Sequence, residues 1–149
     1  MIPEPLYREI LRAVHIVCVD LVARRKDGRF LLVRRRNEPL MGEWWVIGGR
    51  VQRGEKAADA VLRKLKEEAG LVALSAPKFL GIYEDLFDRN SFEVAPYHTF
   101  SLVYEVAVDD AAITLDAQSD DFQWAETLPA RLVIQPSNPR NYVRTPSHA

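Results

Sequence analysis

Residues 43–71 read EWWVIGGRVQRGEKAADAVLRKLKEEAGL, and no other stretch restricts the fold as much. An apolar, β-prone run stops at Gly48-Gly49 and a short polar loop follows. Residues 57–69 then repeat apolar side chains at helical spacing. On a wheel of about 100° per residue, Ala58, Val61, Leu62, Leu65 and Ala69 share one face. Gly70 stands where a left-handed C-cap would close the helix. A strand that passes through glycines into an amphipathic helix lays that helix back on a sheet. The rest of the chain supplies the sheet. HIVCVDLVAR and RFLLVRRR are β-rich runs joined by RKDG, whose Asp-Gly pair is a hairpin signal. KFLGIYEDLF, HTFSLVYEVAV and DDFQWAE read as further strands, PLYREILRAV as a short amphipathic helix and TLPARLV as a helical turn. The expected fold class is α/β: an α/β/α sandwich around a mixed β-sheet.

A chain of 149 residues is long enough for a real core and short enough for one domain, taken as residues 1–149. Its formal net charge of −1 offers no general attraction to nucleic acid or to an anionic membrane. The single cysteine, Cys18 in VHIVCVDLV, allows no internal disulfide and reads as a small buried hydrophobe in a reducing compartment. The N-terminus is acidic early and has no uncharged apolar core, and no run reaches the roughly 18 apolar residues of a membrane helix. A cytoplasmic protein without nucleic-acid or membrane partners is expected. The tail RTPSHA reads as unstructured.

The helix raises a chemical question. On the same wheel Lys64, Glu67 and Glu68 lie within about 100° of one another, beside the apolar stripe. The two glutamates stand near the helix C-terminus, where the dipole disfavours negative charge. A cation would satisfy them. Magnesium suits best, because it takes hard oxygens, few protein ligands and a phosphate-bearing substrate. The alternative is a solvated face held by the i,i+4 pairs Arg63–Glu67 and Lys64–Glu68. Spacing alone leaves both open.

Written out, Gly49-x5-Glu55-x7-Arg63-Lys64-Leu65-x-Glu67-Glu68-x-Gly70-Leu71 resembles the Nudix box, G-x5-E-x7-R-E-U-x-E-E-x-G-U, U being bulky aliphatic. One fixed position departs: Lys64 stands where the pattern has glutamate. The resemblance implies a Nudix fold over nearly the whole chain. It implies divalent metal, Mg2+ or Mn2+, near Glu67 and Glu68, and a structural Glu55–Arg63 salt bridge. Outside the box, FLLVRRRNEP, WWVIGGRVQRGE, CVDLV and DAQSDDFQW are similar to segments of the GDP-mannose mannosyl hydrolases, a branch that lacks the same glutamate. Those enzymes direct water to the sugar C1 and release the nucleoside diphosphate whole.

Carried over residue by residue, that branch implies metal ligands at the carbonyl of Gly48, Glu68 and Gln118. It implies diphosphate contacts from Arg35 and Arg50 and a sugar-binding aspartate at Asp20. A histidine at His98 also has a counterpart there and is taken as a substrate contact. Guanidinium forks suit phosphate oxygens. The alternatives are a solvated strand end for Arg34, Arg35 and Arg36, and a buried salt bridge for Asp20. The branch's general base, a histidine, is replaced by Ser119, so Asp120 is the expected base. Lys64 adds positive potential. The expected activity is hydrolysis of a nucleotide sugar, by an enzyme that pairs as a homodimer like that branch. Attack at phosphorus, or binding without turnover, are the competing functions.

Overall fold

The computed structural model describes residues 1–88, 90, 92–94, 96–136, 138 and 143–144. The expected tail from residue 145 onward, with His148, lies outside the described residues. Helix α1 (Glu4–Ala13) is followed by β1 (Ile16–Arg25), β2 (Phe30–Arg35), β3 (Trp44–Trp45) and β4 (Ile47–Arg50). Helix α2 (Ala57–Ala69) then leads to β5 (Lys78–Phe87), β6 (Tyr97–Val108), β7 (Ser119–Ala125) and β8 (Val143–Arg144).

The Asp27-Gly28 turn joins β1 to β2 as the hairpin signal requires. Arg25 N donates to Arg29 O at 2.9 Å, and Gly28 has φ +90°. The two strands pair only at Arg24–Phe30 and then part. Into the gap comes β4, antiparallel to β1. The EWWVIGG run is therefore two short strands, with β3 on β2 and β4 on β1. Along the sheet the order is β3-β2-β1-β6-β5-β8, with β7 on the other edge of β2. The pairs β1–β6 and β5–β8 are parallel and the others antiparallel, which makes the sheet mixed.

Because successive strand residues face opposite sides, β1 serves two environments. Val19, Leu21 and Ala23 pack under α2 with Val61, Leu65 and Ala69. Cys18, Asp20 and Val22 face the other layer. There Val22 meets Leu128, Leu132 and Ile134 of the irregular stretch after β7. Cys18 meets α1, through a cluster of Leu11, Ile16, Val94, Tyr7 and Tyr97. Helix α1 thus folds back over its own sheet, so its apolar face gives no ground for a dimer. The stretch read as a helical turn is a single turn, closed by Leu132 N on Pro129 O at 2.9 Å.

Helix α2 has the expected bounds and ends at Gly70 in the left-handed region, φ +70°. Its buried face differs from the expected stripe. Ala60, Val61, Lys64, Leu65, Glu68 and Ala69 are buried, whereas Leu62 is 39% exposed. The inward face is rotated toward Lys64 and Glu68 because β4 and its two glycines lie against that side.

Candidate functional site

Beside β4 the sheet opens into a cavity of about 220 Å³. Its floor follows from the β1–β4 register, which sets Asp20 opposite Gly48 and Cys18 opposite Arg50. Only glycine fits at 48: a Cβ there would lie 2.3 Å from Asp20 Oδ1 and 2.6 Å from Val19 O. Asp20, Arg35, Gly48, Arg50 and Gln118, five of the residues expected at the site, line this one cavity.

Asp20 is the deepest of them, 6% exposed. The buried Tyr83 hydroxyl donates to its Oδ2. Burial pushes the Asp20 carboxyl up to about 6, against the opposing pull of the Tyr83 hydrogen bond and the Arg35 charge. Burial, with Asp20 alongside, also holds the Tyr83 phenol well above its ordinary value. Thr99 and Ser101, both 4% exposed, complete a polar pocket end around this pair. Cys18 is half-buried in the same wall; burial first, then the Asp20 charge, pushes its thiol up to about 12. It is no nucleophile at neutral pH.

Strand alternation sorts the three arginines of β2. Arg35 turns into the cavity, its Nε donating to Pro39 O at 2.8 Å. Arg34 turns out and holds Asp120 at 2.7 Å. Asp120, expected as the base, is therefore not among the cavity's lining residues. Its neighbour Ser119 takes the inward, buried position of β7, and Arg34 holds the Asp120 carboxyl below its ordinary value. His98 is corrected in the same way. Tyr97, Thr99 and Ser101 of β6 face the cavity, so His98 faces the other side, where its Nε2 meets Glu84 Oε1 at 2.7 Å.

Both i,i+4 pairs of α2 form, with different fates. Glu67, 47% exposed at its side chain, meets Arg63 at 3.1 Å on the surface. Glu68 and Lys64 are buried together, with Lys64 Nζ 2.5 Å from Glu68 Oε1. That contact is an ion pair without a well-angled hydrogen bond, and Oε1 is otherwise orphaned. Burial raises the Glu68 carboxyl to about 7, with Lys64 pulling the other way. The Lys64 stem lies under the glycine turn, 2.8 Å from where a Gly49 Cβ would be. The Glu55–Arg63 bridge is present and bidentate, at 2.7 and 3.0 Å. Arg63 also donates to Arg50 O at 3.1 Å, and Glu55 accepts from Gln52 N at 2.9 Å. The bridge thereby fixes the loop that carries Arg50.

The donor chemistry fits a hard divalent cation. The buried, hydrogen-bond-free oxygen of Glu68, the adjacent Glu67, the Gly48 carbonyl and the Gln118 amide are all oxygen donors. Lys64 already offsets one charge among them. Gln118 is exposed and its amide donates to Asp116 Oδ2 at 3.1 Å. Sequence reasoning missed Asp116, whose charge acts on Glu68. It also missed Tyr83, Thr99 and Ser101, whose inward position depends on strand register.

Comparison with known proteins agrees with this geometry. The NUDIX domain family matches residues 14–143. The chain is 37% identical over 118 residues to the low-salt glycan biosynthesis protein Agl8 of Haloferax volcanii, covering 78% of this chain and 74% of that one. It is 41% identical over 67 residues to the ADP-ribose pyrophosphatase of Methanocaldococcus jannaschii, covering 45% of this chain and 38% of that one. Among solved structures, the MutT protein of Methanosarcina mazei superposes with a TM-score of 0.63 at 25% identity, covering 78% of this chain and 86% of that one. A box intact but for Lys64, a mixed sheet with the box helix on one face, and a match over most of its length place the chain in the Nudix hydrolase family.

Proposed function

We propose that this protein, acting as one Nudix domain over residues 1–149, hydrolyses a nucleoside diphosphate sugar with a divalent metal, Mg2+ or Mn2+. The observation that carries the reading is the two-part cavity. Asp20, Tyr83, Thr99 and Ser101 form a buried hydroxyl-and-carboxylate end, and Arg35 and Arg50 stand beside them. The first suits a polyhydroxylated ring and the second a diphosphate. The similarity to a glycan biosynthesis protein and to an ADP-ribose pyrophosphatase supports the same substrate class.

The metal would be held by Glu68, with Glu67, Gln118 and the Gly48 carbonyl around it. When bound it neutralises charge on the departing diphosphate. Arg35 and Arg50 do the same from the protein side, where fixed charges cost no reorganisation during reaction. Asp20 accepts from sugar hydroxyls. Since Asp120 is turned away, Asp20 is also the carboxylate within the cavity that can take a proton from attacking water. The finer reading is the GDP-mannose mannosyl hydrolase type: GDP-sugar and water give GDP and free sugar by attack at C1. The displacement of Asp120 favours a second reading, attack at phosphorus with release of a nucleotide and a sugar phosphate. A homodimer in the cytoplasm completes the proposal and rests on the resemblance alone; light scattering at micromolar concentration tests the dimer.

The deciding experiment screens nucleotide sugars with magnesium in ¹⁸O-water and identifies products by mass. Label in the free sugar supports attack at carbon. Label in a nucleoside monophosphate or sugar phosphate moves the protein to the phosphorus-attacking class. Tight binding without turnover would make it a binding module.

A further inference from the structure

Beyond Arg50 the cavity does not end. Tyr7, Arg50 and Phe92 also line a second, more apolar cavity of about 520 Å³, bounded by Ile2, Pro3 and Glu4 of the N-terminal segment. The shared wall is ordered. Tyr7 and Phe92 meet edge to face, ring centroids 4.9 Å apart and planes at 81°. The Arg50 guanidinium lies 5.2 Å from the Tyr7 ring centre. Phe92 sits in a loop pinned by one side chain: Asn90 Nδ2 donates to Val94 O at 2.6 Å, and Asn90 Oδ1 accepts from Phe92 N at 2.9 Å. Tyr7 is carried by α1, whose Leu11 is buried against the sheet. Both rings are therefore held by packed elements, and both are half-buried with a face left to the cavity.

We propose that Tyr7 and Phe92 form the subsite for the nucleobase of the substrate. This inference rests on the nucleotide-sugar reading given above and extends it. A nucleoside diphosphate sugar is linear: sugar, diphosphate, ribose, base. With the sugar at Asp20 and the diphosphate at Arg35 and Arg50, the base must lie on the side of Arg50 away from Asp20. That is where the apolar cavity opens. Its walls are aromatic and aliphatic, suited to a flat π-face rather than to a second sugar, which would need buried polar partners. Arg50 then acts at both ends, with its fork toward phosphate and its plane against the ring that stacks the base. Helix α1, which precedes the matched family segment, becomes part of the substrate site.

The test is calorimetric titration with GDP, ADP and inorganic pyrophosphate, all with magnesium, of wild type, Tyr7→Ala and Phe92→Ala. Stacking on one ring contributes about 1–3 kcal/mol per base, so each alanine variant should bind the nucleoside diphosphates roughly tenfold or more weakly. Pyrophosphate affinity should be unchanged. Tyr7→Phe should keep wild-type affinity, and Phe92→Leu, which preserves apolar packing, replaces Phe92→Ala if that variant does not fold. Alanine variants that bind GDP and ADP like wild type overturn the subsite, as does an equal loss of pyrophosphate affinity, which would make the rings mere supports for Arg50. Wild type that binds pyrophosphate no more weakly than GDP or ADP also overturns it. Wild type that binds none of the three overturns the substrate reading and the subsite with it.

Discussion

Replacing Lys64 by methionine isolates the buried ion pair that stands where the Nudix box has a third glutamate. In the wild type the Glu68 carboxyl is raised from 4.5 to about 7. A carboxyl raised on folding binds more protons folded than unfolded between those values. Stability therefore falls as pH rises from about 4.5 to 7, and this contribution levels off above 7. The full drop is about 3 kcal/mol. Lys64 Nζ, 2.5 Å from Oε1, is what keeps the value from rising further. At an effective dielectric of about 20, a charge pair at about 4 Å is worth about 4 kcal/mol. Its loss would carry Glu68 ionisation roughly three pH units higher. The variant should then keep losing about 1.4 kcal/mol per pH unit above 7, where the wild type no longer does. Between pH 7 and 9 the gap between the two proteins should widen by about 2–3 kcal/mol. At pH 5, where both hold a neutral Glu68, the gap should be small. Urea unfolding with EDTA at pH 5, 7 and 9 measures this directly. A stability difference that stays constant across the three values would refute the reasoning, because Lys64 would then not be coupled to Glu68.

Gly48→Ala should abolish turnover and lower stability by more than about 2 kcal/mol, since the new Cβ meets Val19 O and Asp20 Oδ1 within 2.6 Å; thermal melting and a steady-state assay check both. Arg63→Gln should cost about 2–3 kcal/mol in urea unfolding, because it removes charge-assisted bonds to Glu55 and frees the Arg50 loop; loss below about 0.5 kcal/mol would reduce the bridge to a surface pair. Arg50→Gln should lower kcat with a nucleotide sugar by roughly 10²-fold or more, and an unchanged kcat would remove Arg50 from the reaction. Glu68→Gln should abolish magnesium-dependent turnover and weaken Mn2+ binding read by electron paramagnetic resonance, while wild-type-like binding would displace the metal from α2.

Local chemistry carried much of this structure in the sequence alone. The bounds of α2, its Gly70 cap, the Asp27-Gly28 hairpin and the extent of β5 were all legible, because each depends on residues a few positions apart. So was the Glu55–Arg63 bridge, since one helix and one loop supply both partners. The resemblance to the Nudix box added the glycine turn and the carboxylates, and Asp20, Arg35, Gly48, Arg50 and Gln118 do converge on one cavity. Tertiary structure decided which way side chains point. Arg34 and Arg35, Ser119 and Asp120, and His98 and Thr99 are neighbours with opposite fates, because pleating sends adjacent residues to opposite faces and only pairing register says which face is the site. Glu67 and Glu68 part in the same way, about 100° apart on α2, one at the surface with Arg63 and the other buried with Lys64. A periodic pattern marks a helix's apolar stripe, but the sheet beneath sets how far that stripe turns. Here β4 and its glycines, with no side chains to fill the space, drew Lys64 and Glu68 inward.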